Sequence, residues 1–91
     1  MGATARTGHQ KATLRLRVTS AVKGADRRGR IIVRWTKPDG EAGRKVVRVD
    51  RAGRATTHLP RVKAGRRTFT LRWLGNDDLV ADRGRAVGRV R

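Results

Sequence analysis

Residues 66–74, RRTFTLRWL, set Phe69, Leu71 and Trp73 on one side of the chain and Thr68, Thr70 and Arg72 on the other. A period of two is the signature of a half-buried β-strand, because successive side chains of a strand point to opposite faces. The same alternation recurs at 12–20 (Leu14, Leu16, Val18 against Thr13, Arg15, Arg17, Thr19), 30–35 (Ile31, Val33, Trp35), 45–50 (Val47, Val49) and 54–59 (Ala55, Thr57, Leu59). It is weaker at 83–91. No segment carries an i, i+3, i+4 apolar stripe, so helices are not expected. Turn chemistry separates the periodic stretches: Pro38-Asp39-Gly40, a short connection ending at Gly53 where a left-handed residue is wanted, and Pro60, which cannot donate to a ladder. Short strands punctuated this way predict an all-β fold, an antiparallel sandwich of about six strands. Its core is expected at Leu14, Leu16, Ile31, Val33, Val49, Leu59, Phe69, Leu71 and Trp73.

With 91 residues the chain is one domain with one modest core, too small for a deep catalytic pocket. Residues 1–10, MGATARTGHQ, are small and polar, which predicts a disordered N-terminal segment ahead of a sandwich domain at 11–91. That stretch has no apolar core of a signal peptide, and no apolar run reaches the ~18 residues of a membrane span. Cysteine is absent, which removes disulfides and thiolate chemistry. Lys and Arg number 24 against 7 Asp and Glu, a formal net charge of +17. A field of that sign attracts polyanions: nucleic acid, teichoic-acid-like cell-wall polymer, anionic polysaccharide or an anionic membrane surface. The charge is spread evenly along the chain and forms no block of the kind that marks a nucleic-acid-binding arm.

From Gly8 to Arg91 the sequence resembles a bacterial Ig-like repeat. GHQKATLRLRVTS is similar to that family's first core strand, RGRIIVRW to the next, VRVDRAGRATTHLP to the pair that follows, and VKAGRRTFTLRWLGND to its most specific segment. In that last segment Ala64, Gly65, Thr68, Phe69, Thr70, Gly75 and Asp77 fall at the family's spacing. Two departures stand out. The family's strand ahead of 12–19 is missing, its place taken by the polar MGATARTGHQ, which implies an open sheet edge and a route to edge-strand dimers. Arg67 also stands where the family often has an aromatic. The resemblance implies an Ig-like topology and a modular, extracellular or cell-surface context. Neighbouring Ig-like repeats or anionic cell-wall polymers would then be the partners.

Residues able to carry chemistry are few. His9 and His58 are the only histidines, and neither has a nucleophile at a suggestive spacing. GNDD at 75–78 reads as an Asx turn in preference to a calcium site, since only two carboxylates are local and calcium takes ~6–8 oxygens. No catalytic, cofactor or metal residue is therefore assigned. Both tryptophans alternate with core positions and read as packing, not as stacking platforms for bases. In an Ig-type sandwich the strands at 30–35, 66–74 and 83–91 lie side by side. Arg34, Arg72, Arg85 and Arg89 would then share an outer face, with Thr68 and Thr70 between them. This is the candidate polyanion-binding face, since the planar guanidinium fork matches phosphate oxygens. The spread of charge and the lack of interleaved aromatics favour a merely solvated surface. The functional expectation is a non-enzymatic structural or adhesion module; the alternative is a sandwich that binds nucleic acid or another polyanion.

Overall fold

The computed structural model describes residues 1–19 and 24–91. Ser20, the last residue of the expected first strand, and 21–23 at the start of the loop after it lie outside the described residues. Seven strands make up the fold: β1 (Gly2–Gly8), β2 (Lys11–Arg17), β3 (Gly29–Thr36), β4 (Ala42–Val49), β5 (Arg54–Leu59), β6 (Gly65–Trp73) and β7 (Asp82–Val90). Among the described residues there is no helix, so none is long and apolar enough to cross a membrane. Two antiparallel sheets, ordered β1-β2-β5 and β4-β3-β6-β7, pack into a β-sandwich. The fold is all-β, as the period-two pattern requires.

The N-terminal segment departs from expectation. Residues 2–8 are not disordered; they form β1 and pair with β2 in register from Gly2↔Arg17 to Gly8↔Lys11. The sandwich thus begins at residue 2, has seven strands instead of six, and leaves no open edge at β2. The physical reason lies in the partner. β1 turns Ala3, Ala5 and Thr7 toward β7, where Gly84 and Gly88 sit opposite. A Cβ on Gly88 would lie 2.9 Å from Thr7 Cγ2 and 3.5 Å from Ala5 Cβ. Two thin surfaces approach closely here, so small residues are what the interface needs and no strong hydrophobic alternation marks it. The Thr7 hydroxyl donates to the Arg89 carbonyl at 2.6 Å, and Arg91 N–H donates to the Gly8 carbonyl at 3.3 Å, fastening the seam.

The two inner faces supply the core. Leu14, Ile31, Val33, Leu59, Phe69 and Trp73 are essentially inaccessible, joined by Leu16, Val18, Val47, Val49 and Leu71. Val62, in the crossing from β5 to β6, is also fully buried although no strand period marks it. Trp35 is half-buried and donates its indole N–H to the Arg61 carbonyl at 2.7 Å. Gly53 has φ +80°, and a Cβ there would meet the Val18 carbonyl oxygen. The β4–β5 turn therefore takes glycine for both its backbone conformation and the close approach of β2.

Candidate polyanion-binding face

Alternation fixes what the outer side of the four-stranded sheet carries. With Val47 and Val49 of β4 inward, Arg44 and Arg48 face out; with Ile31 and Val33 of β3 inward, Arg30 and Arg34 face out. β6 turns Arg66, Thr68, Thr70 and Arg72 outward, and β7 turns Arg83, Arg85, Val87 and Arg89 outward. All nine arginines are exposed. The four expected from the sequence, Arg34, Arg72, Arg85 and Arg89, do share this face.

Register makes the face continuous. One row across the sheet reads Arg44–Arg34–Thr70–Arg85, and the next reads Val46–Ile32–Arg72–Arg83. Neighbouring strands are about 4.8 Å apart, and same-face residues along a strand are separated by about 6.7 Å. The guanidinium groups thus form a two-dimensional grid, not a single line. A shallow hollow lined by Ile32, Arg34, Thr70, Leu71, Arg72 and Arg83 sits within it. Ile32 faces outward yet is only 8% exposed, so neighbouring side chains lie across it. Arginine stems suit this role, covering apolar surface while their heads stay in water.

Five of the nine arginines, Arg30, Arg44, Arg48, Arg66 and Arg83, were not expected. The parity signal for Arg44 and Arg48 was present in Val47 and Val49. What was missing was the sheet to which that strand belongs. For Arg30, Arg66 and Arg83 nothing was missing: they share the parity of Arg34, Arg72 and Arg85 on strands already expected side by side.

Four pairs on this face stand in direct cross-strand register: Arg30↔Arg48, Arg34↔Arg44, Arg72↔Arg83 and Arg66↔Arg89. Like charges directly opposite one another destabilise a sheet. No carboxylate occupies an outward position on this face to offset them. Among the described residues the side-chain ion pairs are Arg28–Asp26 and Lys37–Glu41, neither involving the nine.

All seven carboxylates sit at the ends of the sandwich, and six of them make local hydrogen bonds or ion pairs. Asp39 accepts from the Glu41 N–H in the β3–β4 turn, and Asp50 accepts from the Arg54 N–H in the β4–β5 turn. Asp26 accepts the Arg28 guanidinium and Arg28 N–H, and those bonds hold its carboxyl down at about 2. GNDD forms the Asx turn: Asn76 Oδ1 accepts from the N–H groups of Asp78 and Leu79, while its amide donates to the carbonyls of Asp26 and Arg28. Asp78 in turn accepts the Asp26 N–H at 2.8 Å, so this loop is stitched to the chain entering β3.

The other side chains singled out in the sequence lie elsewhere. His58 is exposed on the outer face of the three-stranded sheet, its Nδ1 2.9 Å from Thr13 Oγ1. Arg67 bonds the Ala64 carbonyl through Nε and Nη2. Trp73 is 1% exposed and Phe69 fully buried, so neither can stack on a ligand. What the grid can do chemically is hold repeated anionic groups by charge-assisted hydrogen bonds. No family model, no curated protein and no solved structure matches this chain.

Proposed function

We propose that this chain is a non-enzymatic structural and adhesion module of a bacterial surface or secreted protein. In this reading it holds an anionic phosphodiester polymer of the cell wall on the outer face of its four-stranded sheet. The observation that carries the proposal is the nine-arginine grid with no carboxylate in it. Each opposed Arg–Arg pair costs stability in the free protein, on the scale of ~0.2–1 kcal/mol for a cross-strand charge pair. A polyanion laid over the grid turns that repulsion into attraction. A sheet that had only to remain soluble would gain by mixing both signs of charge.

The class of polymer follows from what the face lacks. Single-stranded nucleic acid is held by bases stacked on outward aromatics, and the aromatic residues here are buried or half-buried. A stiff duplex curves away from a sheet and reaches only part of a two-dimensional grid. A flexible phosphodiester chain can lay a phosphate at every node.

The test is a titration with poly(glycerol phosphate) across a range of salt. Two variants remove the same charge: Arg34, Arg44, Arg72 and Arg83 together to Gln, and Arg51, Arg61, Lys63 and Arg91 together to Gln. The face variant should bind about tenfold more weakly than the loop variant, equivalent to about 1.4 kcal/mol. Equal losses would return the arginines to the role of a solvated surface. Tighter binding of a DNA duplex, with a salt slope of about 0.9 per phosphate engaged, would favour the nucleic-acid reading.

A further inference from the structure

The outer face of the three-stranded sheet repeats the same segregation of charge. β1 presents Arg6, β2 presents Lys11, Arg15 and Arg17, and β5 presents Arg54 and His58, all exposed. The positions between them are Gly2, Thr4, Gly8, Thr13 and Thr56, so this face also has no carboxylate. Arg17 stands directly across from Arg54, a fifth opposed arginine pair. Two shallow hollows straddle β2, one toward each end of the sheet. One is lined by Arg6, Lys11, Thr13, Arg15 and His58, the other by Thr4, Arg15, Arg17, Arg54 and Thr56. Hydroxyls beside guanidinium groups offer additional donors to phosphate oxygens.

The two faces look away from each other across a body measuring 41 × 20 × 16 Å. Polymers lying on opposite faces are therefore at least 16 Å apart, about two screening lengths at physiological salt, where that length is ~8 Å. Their mutual repulsion is small at that distance. A polymer on the four-stranded sheet engages at most its nine arginines, whereas the net charge is +17. The far face remains cationic after the first polymer has bound.

We infer that the sandwich is a cross-linker: it holds two stretches of anionic phosphodiester polymer at once, one on each sheet. This rests on the polymer-binding reading above and adds a second site, a valence of two and a role in joining polymer chains. Retention by one face would fix the protein to the wall; two faces also tie wall polymers to each other.

The experiment uses poly(glycerol phosphate) anchored on beads and a fluorescent poly(glycerol phosphate) in solution, with the intact chain at physiological salt. Fluorescent polymer should collect on the beads as protein is added, pass through a maximum, and fall when excess protein occupies each polymer separately. The variant with Arg6, Arg15, Arg17 and Arg54 all changed to Gln should bind the beads as well as the equal-charge loop variant. Its recruitment of fluorescent polymer should drop by about tenfold relative to that variant. Circular dichroism on each variant establishes that the sandwich is intact. Binding without recruitment by the unaltered protein would overturn the cross-linking and leave the binding reading standing. Absence of binding would overturn both. Recruitment that survives loss of the three-stranded face would place the second valence in self-association and overturn the inference. Recruitment of duplex DNA but not of poly(glycerol phosphate) would overturn the polymer class.

Discussion

Arg44 and Arg34 face one another across β4 and β3 with no acidic residue near them in the row. Changing Arg44 to Glu replaces a repulsion by a cross-strand ion pair. The expected gain is ~0.5–1 kcal/mol, a rise of a few degrees in melting temperature, together with weaker binding of poly(glycerol phosphate). Opposite signs for the two effects would identify Arg44 as kept for binding; a loss of stability would remove the argument from repulsion. Asp26 shows the converse arrangement. Its carboxyl is held at about 2, first by the Arg28 side chain, well below its ordinary 3.8. A lowered folded value means the contribution is present above pH ~4 and fades as the pH falls toward 2. The denaturation midpoint of the protein should therefore exceed that of Asp26→Asn at pH 5, and the gap should close by pH 2. Glycine 29 is set by packing: a Cβ there would overlap the buried Trp73 ring. Gly29→Ala should cost ~1–3 kcal/mol in thermal unfolding, while Gly2→Ala, with open space around it, should cost little.

At the scale of the element, β1 is held by thinness on both sides. Gly88→Val would drive a side chain against Thr7 and Ala5 and lift β1 from β7. Amide exchange should then accelerate across residues 2–8 while β3 and β6 stay protected, with a global loss of ~1–3 kcal/mol. Removing residues 1–8 should go further, baring the β2 edge and producing dimers by sedimentation. Five of the seven strands were legible because large apolar residues alternate with Arg and Thr along them, and β7 more faintly, because Arg83, Arg85 and Arg89 alternate with small residues. β1 was not, because Ala3, Ala5 and Thr7 are too small to make an alternation stand out, and the glycines that require them lie about eighty residues away in sequence. Val62 escaped for a related reason: its burial follows from the path of a crossing, not from a period. Of the candidate face, all seven outward arginines of β3, β6 and β7 follow from the expected strand order and from parity, Arg30, Arg66 and Arg83 as much as the four singled out. The arginines of β4 awaited the sheet assignment, which no local pattern encodes.

At the scale of the whole molecule, the confinement of the carboxylates to ends that hold both signs of charge, leaving wholly basic faces, makes stability depend on salt in an unusual direction. A chain whose surface mixes both signs loses ion-pair strength as salt rises, whereas here screening chiefly relieves repulsion. The melting temperature should climb as sodium chloride increases from low to physiological levels; a fall would mean that the ion pairs at the ends outweigh the faces. The seam between β1 and β7 has a separate consequence. Met1 lies beside Gly84, while Gly8 and Gln10 bond to Arg91, so the two strands run in the same direction. A force pulling residue 1 and residue 91 apart along the strands would drag the two past one another, loading their contacts together in shear instead of peeling them one by one. Under such a pull the seam between β1 and β7 yields only when its contacts break together.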